Sequence, residues 1–261
     1  MATDAASRET RADDGLRFAA RPARLRRCVP NAIIRRHLAE SDRVLLTFDD
    51  GPHPLHTPAV LDRLAAFDVR AIFFVVGKRV ASAPDLLQRI LDDGHDLGNH
   101  TFDHRNPSWW AARSAWNDVA RCQRLVPDAR WFRPPLGKLT PGLLAAAWGH
   151  RLPVMNWSLD SGDWRCRSEA DAERCARETL NLAQAGDVIL FHDDHAQIAR
   201  ILDIVLPELE RRGWLRENQS QDHSPPHRRD AGVSGLRVCS TNGVGHVSNV
   251  PSGGKHVPRA R

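Results

Sequence analysis

The sequence predicts an α/β fold built from parallel strands that alternate with helices. Three observations carry this reading. Short apolar runs recur between residues 41 and 215 and end in turn signals, and the segments between them have helical apolar spacing. The runs are also continuous rather than alternating, as expected of strands covered on both faces. Six or so such units fit either a barrel or a doubly wound sheet.

Arg43–Phe48 (R-V-L-L-T-F) reads as a buried strand that stops at the turn Asp49-Asp50-Gly51-Pro52. Thr57-Pro58 then predicts an N-cap and a first-turn proline for a helix running to about Phe67. The pattern repeats with strand Ala71–Val76, helix Asp85–Asp92 closed by Gly94, a strand near Asp96–Gly98 and helix Ala111–Leu125. A short strand around Trp131–Arg133, a helix opened by Thr140-Pro141 and strand Val154–Trp157 follow. Helix Glu169–Leu182 capped by Ser168, strand Val188–Phe191 and helix Ile198–Glu210 complete the series.

Charge divides the chain of 261 residues into three parts. Residues 1–40 carry nine Arg against five acids and residues 216–261 carry seven Lys or Arg against three, so each flank stands at +4. The total is +5, which leaves 41–215 at −3. The basic pI is thus a property of the ends, and the middle has no electrostatic reason to bind a phosphate backbone. The expected organisation is a basic arm over 1–40, one folded domain over 41–215 and a disordered basic tail over 216–261, whose Ser, Pro, Gly and Asn content cannot bury a core. Five scattered cysteines without a C-x-x-C pair argue against a disulfide scaffold or a thiolate zinc site, and suit a reducing compartment. No apolar run is long enough to span a bilayer, and no apolar segment follows the basic N-terminus. The expectation is a cytoplasmic chain without membrane anchor or nucleic-acid partner.

The chemistry-bearing residues cluster in a way that composition does not require. Asp49-Asp50, Arg133, Asp163-Trp164 and His192 all fall at or just beyond the C-terminal ends of predicted strands, and His100 and His104 follow the strand ending near Gly98. In parallel α/β folds that edge is where sites are built. The spacing His100-x-x-x-His104 would put two imidazoles on one face of a helical turn. Among 13 histidines such a pair is weak by itself, and so is an acidic pair at a strand end. Together they offer two imidazoles and a carboxylate, a facial set that leaves coordination positions open for water and substrate.

The string T-F-D-D-G-P at Thr47–Pro52, followed by H-T-x-x-H at His100–His104, resembles the polysaccharide deacetylases of carbohydrate esterase family 4. R-P-P-x-G at Arg133–Gly137, D-x-G-D-W at Asp160–Trp164 and an apolar strand ending in His at Ile189–His192 extend the resemblance, in order, over about Arg43 to Leu215. It implies a distorted (β/α) barrel of fewer than eight units and a divalent metal, usually zinc, with cobalt or nickel accepted. By the same resemblance, Asp50, His100 and His104 are the metal ligands, Asp49 the general base, Arg133 its orienting partner, His192 the general acid and Asp163 the group that tunes His192. The Leu136 backbone N–H, Pro134 and Trp164 belong to the substrate side. Leu136 stands where the family commonly has an aromatic residue, which touches substrate choice more than reaction type. The implied reaction is removal of N-acetyl groups from amino sugars in an oligo- or polysaccharide. O-acetyl esters, another amide on the same centre and a silent carbohydrate-binding module are the alternatives.

Elementary chemistry accommodates these roles. A carboxylate beside a ligand can take a proton from water if a guanidinium such as Arg133 keeps it ionised. His192 is a natural proton donor to an amine leaving group, with Asp163 fixing its tautomer and Asp193-Asp194 adding negative charge nearby. Trp109, Trp110 and Trp157 read as core packing rather than as a sugar platform, His95 as a structural hydrogen-bonding residue, and His53 and His56 as loop polar groups. Asp160 fits either a turn or a place behind the site.

Overall fold

The computed structural model describes residues 41–107 and 112–215, together with the backbone of Ile34–Arg35. The remainder of the expected arm, Trp109 and Trp110, and the expected tail from 216 onward lie outside the described residues.

The strands are β1 (Ile34–Arg35), β2 (Leu45–Asp49), β3 (Ile72–Val75), β4 (Asp96–Asn99), β5 (Trp131–Phe132), β6 (Val154–Met155), β7 (Leu159–Asp160) and β8 (Val188–His192). They form a single sheet of order β1-β6-β5-β4-β3-β2-β8-β7, with every pair parallel. The helices are α1 (Thr57–Ala66), α2 (Gly77–Ser82), α3 (Pro84–Asp92), α4 (Ala112–Leu125), α5 (Pro141–Gly149), α6 (Glu169–Leu182) and α7 (Ile198–Arg211). Six strands, β2, β3, β4, β5, β7 and β8, lead into helices, so the distorted barrel of fewer than eight units is what the chain builds.

The strand expected over Val154–Trp157 ends early, as β6, which lies next to the edge strand β1, and a further short strand, β7, forms the opposite edge of the sheet. β6 ends at Met155, and β7 begins at Leu159 and pairs with β8. Four peptide units cannot span more than about 15 Å, so this direct link draws β6 and β7, near the two ends of the strand order, together and curls the sheet toward a barrel. Neither two-residue strand stands out as an apolar run of its own, each being well under half the length of an average strand.

All five residues of β2, Leu45–Asp49, are buried, as are the first four of β8, Val188–Phe191. Phe48 stacks between Phe73 and Phe191, with ring centroids 5.1 and 5.9 Å away. On the outside α7 turns Ile198, Ile201, Leu202, Val205, Leu206 and Leu209 inward, a stripe at helical spacing, with no more than 1% of any of them exposed. At about 25 cal/mol per Å², burial of such side chains is the main term holding helices to sheet.

Ser168 caps α6 as expected, accepting from Asp171 N while the Asp171 carboxylate accepts from the Ser168 backbone N–H in a reciprocal capping box. Thr140 caps α5 by accepting from Leu143 N. Thr57 does not cap α1. The cap position is His56, and the Thr57 hydroxyl is committed elsewhere, accepting from His53 N at 2.7 Å and donating to Asp193 Oδ2 at 2.5 Å. Helix α2 was not legible in the sequence, being six residues squeezed between β3 and the Ala83-Pro84 step that opens α3.

Candidate metal centre and acid–base pairs

The C-terminal edge of the sheet gathers the residues singled out from sequence. β2 ends in Asp49 and passes directly into Asp50, β4 leads to His100, β5 to Arg133, β7 to Asp163, and β8 ends in His192. Asp49 and His192 are register partners across the β2–β8 pair.

Asp50, with φ 72°, stands in the left-handed region where the chain leaves β2. A Cβ on the following Gly51 would lie 2.2 Å from Asp193 Oδ2, so the turn tolerates no side chain there. His100 Nδ1 donates to Arg133 O at 2.7 Å, which fixes the tautomer and leaves Nε2 with its lone pair directed into the site. That Nε2 is 3.6 Å from Asp50 Oδ1, and His104 Nε2 is 3.1 Å from the same oxygen. Burial drives the His100 pKa down to about 3, so its ring is the neutral form a cation needs.

The expected helical turn carrying His100 and His104 is absent. The segment is a loop in which Thr101 (φ 67°) and His104 (φ 51°) both take left-handed conformations, and their rings still meet with centroids 4.8 Å apart. Two buried side chains that sequence reading passed over shape the loop. Asn99 Oδ1 accepts from Thr101 N at 2.9 Å, and Asp118 Oδ2 accepts from Phe102 N at 2.7 Å and Asp103 N at 3.2 Å. Their signal was faint, an Asn directly before the first His and a lone acid on an otherwise apolar helix face.

Ligand atoms of Asp50, His100 and His104 all lie within 4.8 Å of one another. Asp50 Oδ1 is buried and accepts no hydrogen bond, a costly state for a carboxylate oxygen unless something positive engages it. The donor set of one oxygen and two imidazole nitrogens suits a divalent transition ion with open positions. These three residues therefore fit a catalytic cation.

Arg133 is fully buried. Nη1 donates to Asp49 Oδ1 at 2.6 Å and to Thr47 Oγ1 at 2.9 Å, Nε to Met155 O at 3.0 Å and Nη2 to Asn156 O at 3.4 Å, while the guanidinium sits 3.9 Å above the Phe74 ring. Phe74 is the floor of this corner, and Gly98 makes room for it, because a Cβ there would come 2.2 Å from the ring. Burial raises the Asp49 pKa, and the opposing pull of Arg133, then His192, does not cancel it.

Across the site, Asp163 is wholly buried, and Oδ1 accepts from His192 Nδ1 at 2.8 Å and Trp164 N at 2.9 Å. Oδ2 accepts from His192 N at 2.7 Å and His195 Nε2 at 3.1 Å. Burial penalises the Asp163 charge, but His192 and His195 outweigh it and hold its pKa well below the usual carboxylate range. Burial likewise opposes a charged His192, yet Asp163, then Asp49 and Asp50, lift its pKa to about 10. Asp193 and Asp194 are not the source expected from sequence. Asp194 pairs with Arg79 at 2.9 Å, and burial raises the Asp193 pKa to about 7, so it withholds charge.

Leu136 (φ 57°) is 57% exposed in a short 3₁₀ turn beside the site, with Pro134 at its start and Gly137 pressed against Trp157. Trp164 is 46% exposed with the Arg165 guanidinium 4.5 Å over its ring, whereas Trp157 packs against the core as expected. His95 has the structural role expected, Nδ1 accepting from Ala71 N at 3.2 Å. His53 and His56 stack on each other at 4.4 Å in the loop. Asp160 forms a turn, accepting from Gly162 N at 2.9 Å. Among the described residues no helix is long and apolar enough to cross a membrane.

The polysaccharide deacetylase profile matches residues 38–153. The chitooligosaccharide deacetylase of a Bradyrhizobium species is 32% identical over 209 residues, which cover 71% of this chain and 94% of that protein. The peptidoglycan-N-acetylglucosamine deacetylase PgdA of Listeria monocytogenes is 36% identical over 177 residues, 66% of this chain, and the match spans only 37% of that longer protein. The solved structure of the peptidoglycan deacetylase PdaC from Bacillus subtilis superposes with a TM-score of 0.63 at 29% identity, covering 70% of this chain and 90% of that one. Motif order, fold and the convergence of Asp50, His100 and His104 agree with these matches, and the chain belongs to the polysaccharide deacetylase family.

Proposed function

We propose that this chain is a metal-dependent hydrolase that removes N-acetyl groups from amino sugars in an oligo- or polysaccharide. The observation that carries the reading is the pairing of an open three-ligand cluster with a carboxylate on one side and an Asp-supported imidazole on the other. Its relatives' names point to acetylated amino-sugar polymers as the substrate class.

A divalent cation held by Asp50, His100 and His104, zinc on our reading with cobalt or nickel as substitutes, supplies Lewis acidity that makes water a nucleophile near neutral pH and the acetyl carbonyl an electrophile. Asp49 takes the water's proton. Arg133 keeps that carboxylate in one rotamer, since one oxygen is bound by the guanidinium and the other is left toward the cluster, 3.6 Å from His100 Nε2. His192, with Nδ1–H committed to Asp163, presents Nε2 to the departing amine and gives it a proton. Asp163, then Asp49 and Asp50, hold the proton on His192 that this transfer needs. The Leu136 N–H faces the carbonyl oxygen as charge builds on it, Pro134 holds that turn in place, and Trp164 walls the acetyl methyl.

The test is acetate release by zinc- or cobalt-loaded protein from N-acetylglucosamine oligomers and peptidoglycan, beside an O-acetylated xylan. Release from the amides supports the proposal. Release from the ester alone moves the activity to O-acetyl groups, and inactivity on the whole panel with metal bound sinks it.

A further inference from the structure

Asp163 is bound from two sides, and the second side has no place in the mechanism above. His195, three residues beyond His192 in the turn before α7, donates Nε2–H to Asp163 Oδ2 at 3.1 Å. With His192 Nδ1–H, His192 N–H and Trp164 N–H, this gives the carboxylate four donors, two on each oxygen. The other nitrogen of His195, Nδ1, is buried without a partner, although the side chain as a whole retains 16% exposure. A carboxylate can only accept, so Nε2 carries a proton and is the donor in this bond. An imidazole with one nitrogen left unsatisfied is a net cost to the fold, and the bond to Asp163 is the polar contact that this cost secures.

We infer that His195 is a positioning residue for the acid–base pair: it locks the Asp163 carboxylate plane so that Oδ1 stays aligned with His192 Nδ1, and it draws off part of the charge that would otherwise bind the His192 proton too firmly. Three facts beyond the bond itself point this way. Asp163 is fully buried, so water cannot replace a missing donor. His192 and His195 bind the same carboxylate from one short turn, so a shift in that turn would move both. Each further donor lowers the basicity of the carboxylate, and a less basic carboxylate holds any one of its four donors less firmly.

The turnover arm of the test rests on the proposed deacetylase reading, and the spectroscopic arm does not. Wild type, His195→Phe and His195→Gln are compared, the Gln amide N–H being able to reach the place of Nε2. The expected result for His195→Phe is a kcat reduced about tenfold, the effect of losing one bond to a charged group, with KM unchanged. In the nitrogen-15 NMR spectrum of the metal-free protein, the downfield His192 Nδ1–H line broadens through faster exchange with water. His195→Gln restores both the line and most of kcat. An unchanged line and kcat in His195→Phe would overturn the inference, as would equal losses in both variants, which would assign the effect to ring shape rather than to the donor. Should His195→Phe not fold, His195→Gln decides alone, retention supporting the inference and loss overturning it. Inactive wild type would count against the deacetylase reading and leave the NMR comparison to judge His195.

Discussion

Asp49 and His192 stand side by side as register partners at the ends of two adjacent parallel strands, β2 and β8. Parallel strands in register send partner side chains to the same face, and the proposed base and acid are thereby placed at one sheet edge by backbone pairing rather than by loop conformation. Each is then held by its own buried partner, Asp49 by Arg133 and His192 by Asp163. The first expectation concerns the base. Asp49→Asn keeps the volume and removes the proton acceptor, so turnover falls by roughly 10²–10⁴ while binding of an N-acetylglucosamine oligomer survives. Calorimetric titration with the oligomer checks this, and parallel loss of binding and turnover would favour a carbohydrate-binding role.

Arg133→Met leaves the buried Asp49 carboxyl without its guanidinium. Removing one member of a buried pair costs about 3–5 kcal/mol, and Arg133 is wholly buried. Urea unfolding should show a lower midpoint. Asp49→Asn combined with Arg133→Met should recover part of the loss, because the unpaired charge is gone.

His95 sets a stability slope far from the metal cluster. Burial lowers its pKa from 6.5 to about 4, so the unfolded chain takes up a proton below pH 6.5 while the native chain does not until about pH 4. Stability therefore declines as pH falls through that window, by up to about 3 kcal/mol at its lower end. His95→Gln keeps an acceptor for Ala71 N and should flatten the slope. A wild-type slope in the variant would contradict this.

Asp193 works in the opposite sense. Burial raises its pKa from 3.8 to about 7, so between those limits the native state holds a proton that the unfolded chain has released, and stability falls as pH rises. Asp193→Asn still accepts the Thr57 hydroxyl and carries no charge, so it should be more stable than wild type at pH 8 and close to it at pH 4. Thr57→Val, which takes away the donor, should destabilise more at pH 8 than at pH 5, and thermal unfolding at the two pH values reads both.

The barrel and the gathering of Asp50, His100 and His104 were legible because the motifs sit on or just beyond strand ends, where apolar runs stop abruptly at Asp49, Arg133 and His192. What escaped was conformation that local pattern does not encode. The His100–His104 pair suggested helical spacing, yet the rings meet on a loop through two left-handed residues and the anchoring of Asn99 and Asp118. Thr57 reads as a helix cap, but its hydroxyl finds Asp193, 136 residues away. His195 was visible in H-D-D-H only as one histidine among 13, and its role comes from a carboxylate thirty-odd residues earlier in the chain.

The central claim is that Asp50, His100 and His104 hold one cation between them. Its most direct test is zinc stoichiometry by isothermal titration of chelator-treated protein, for the wild type and for His100→Ala and Asp50→Ala. The account expects one tight site per chain in the wild type, with affinity reduced at least tenfold in each variant. Tight one-to-one binding that survives both substitutions would contradict it.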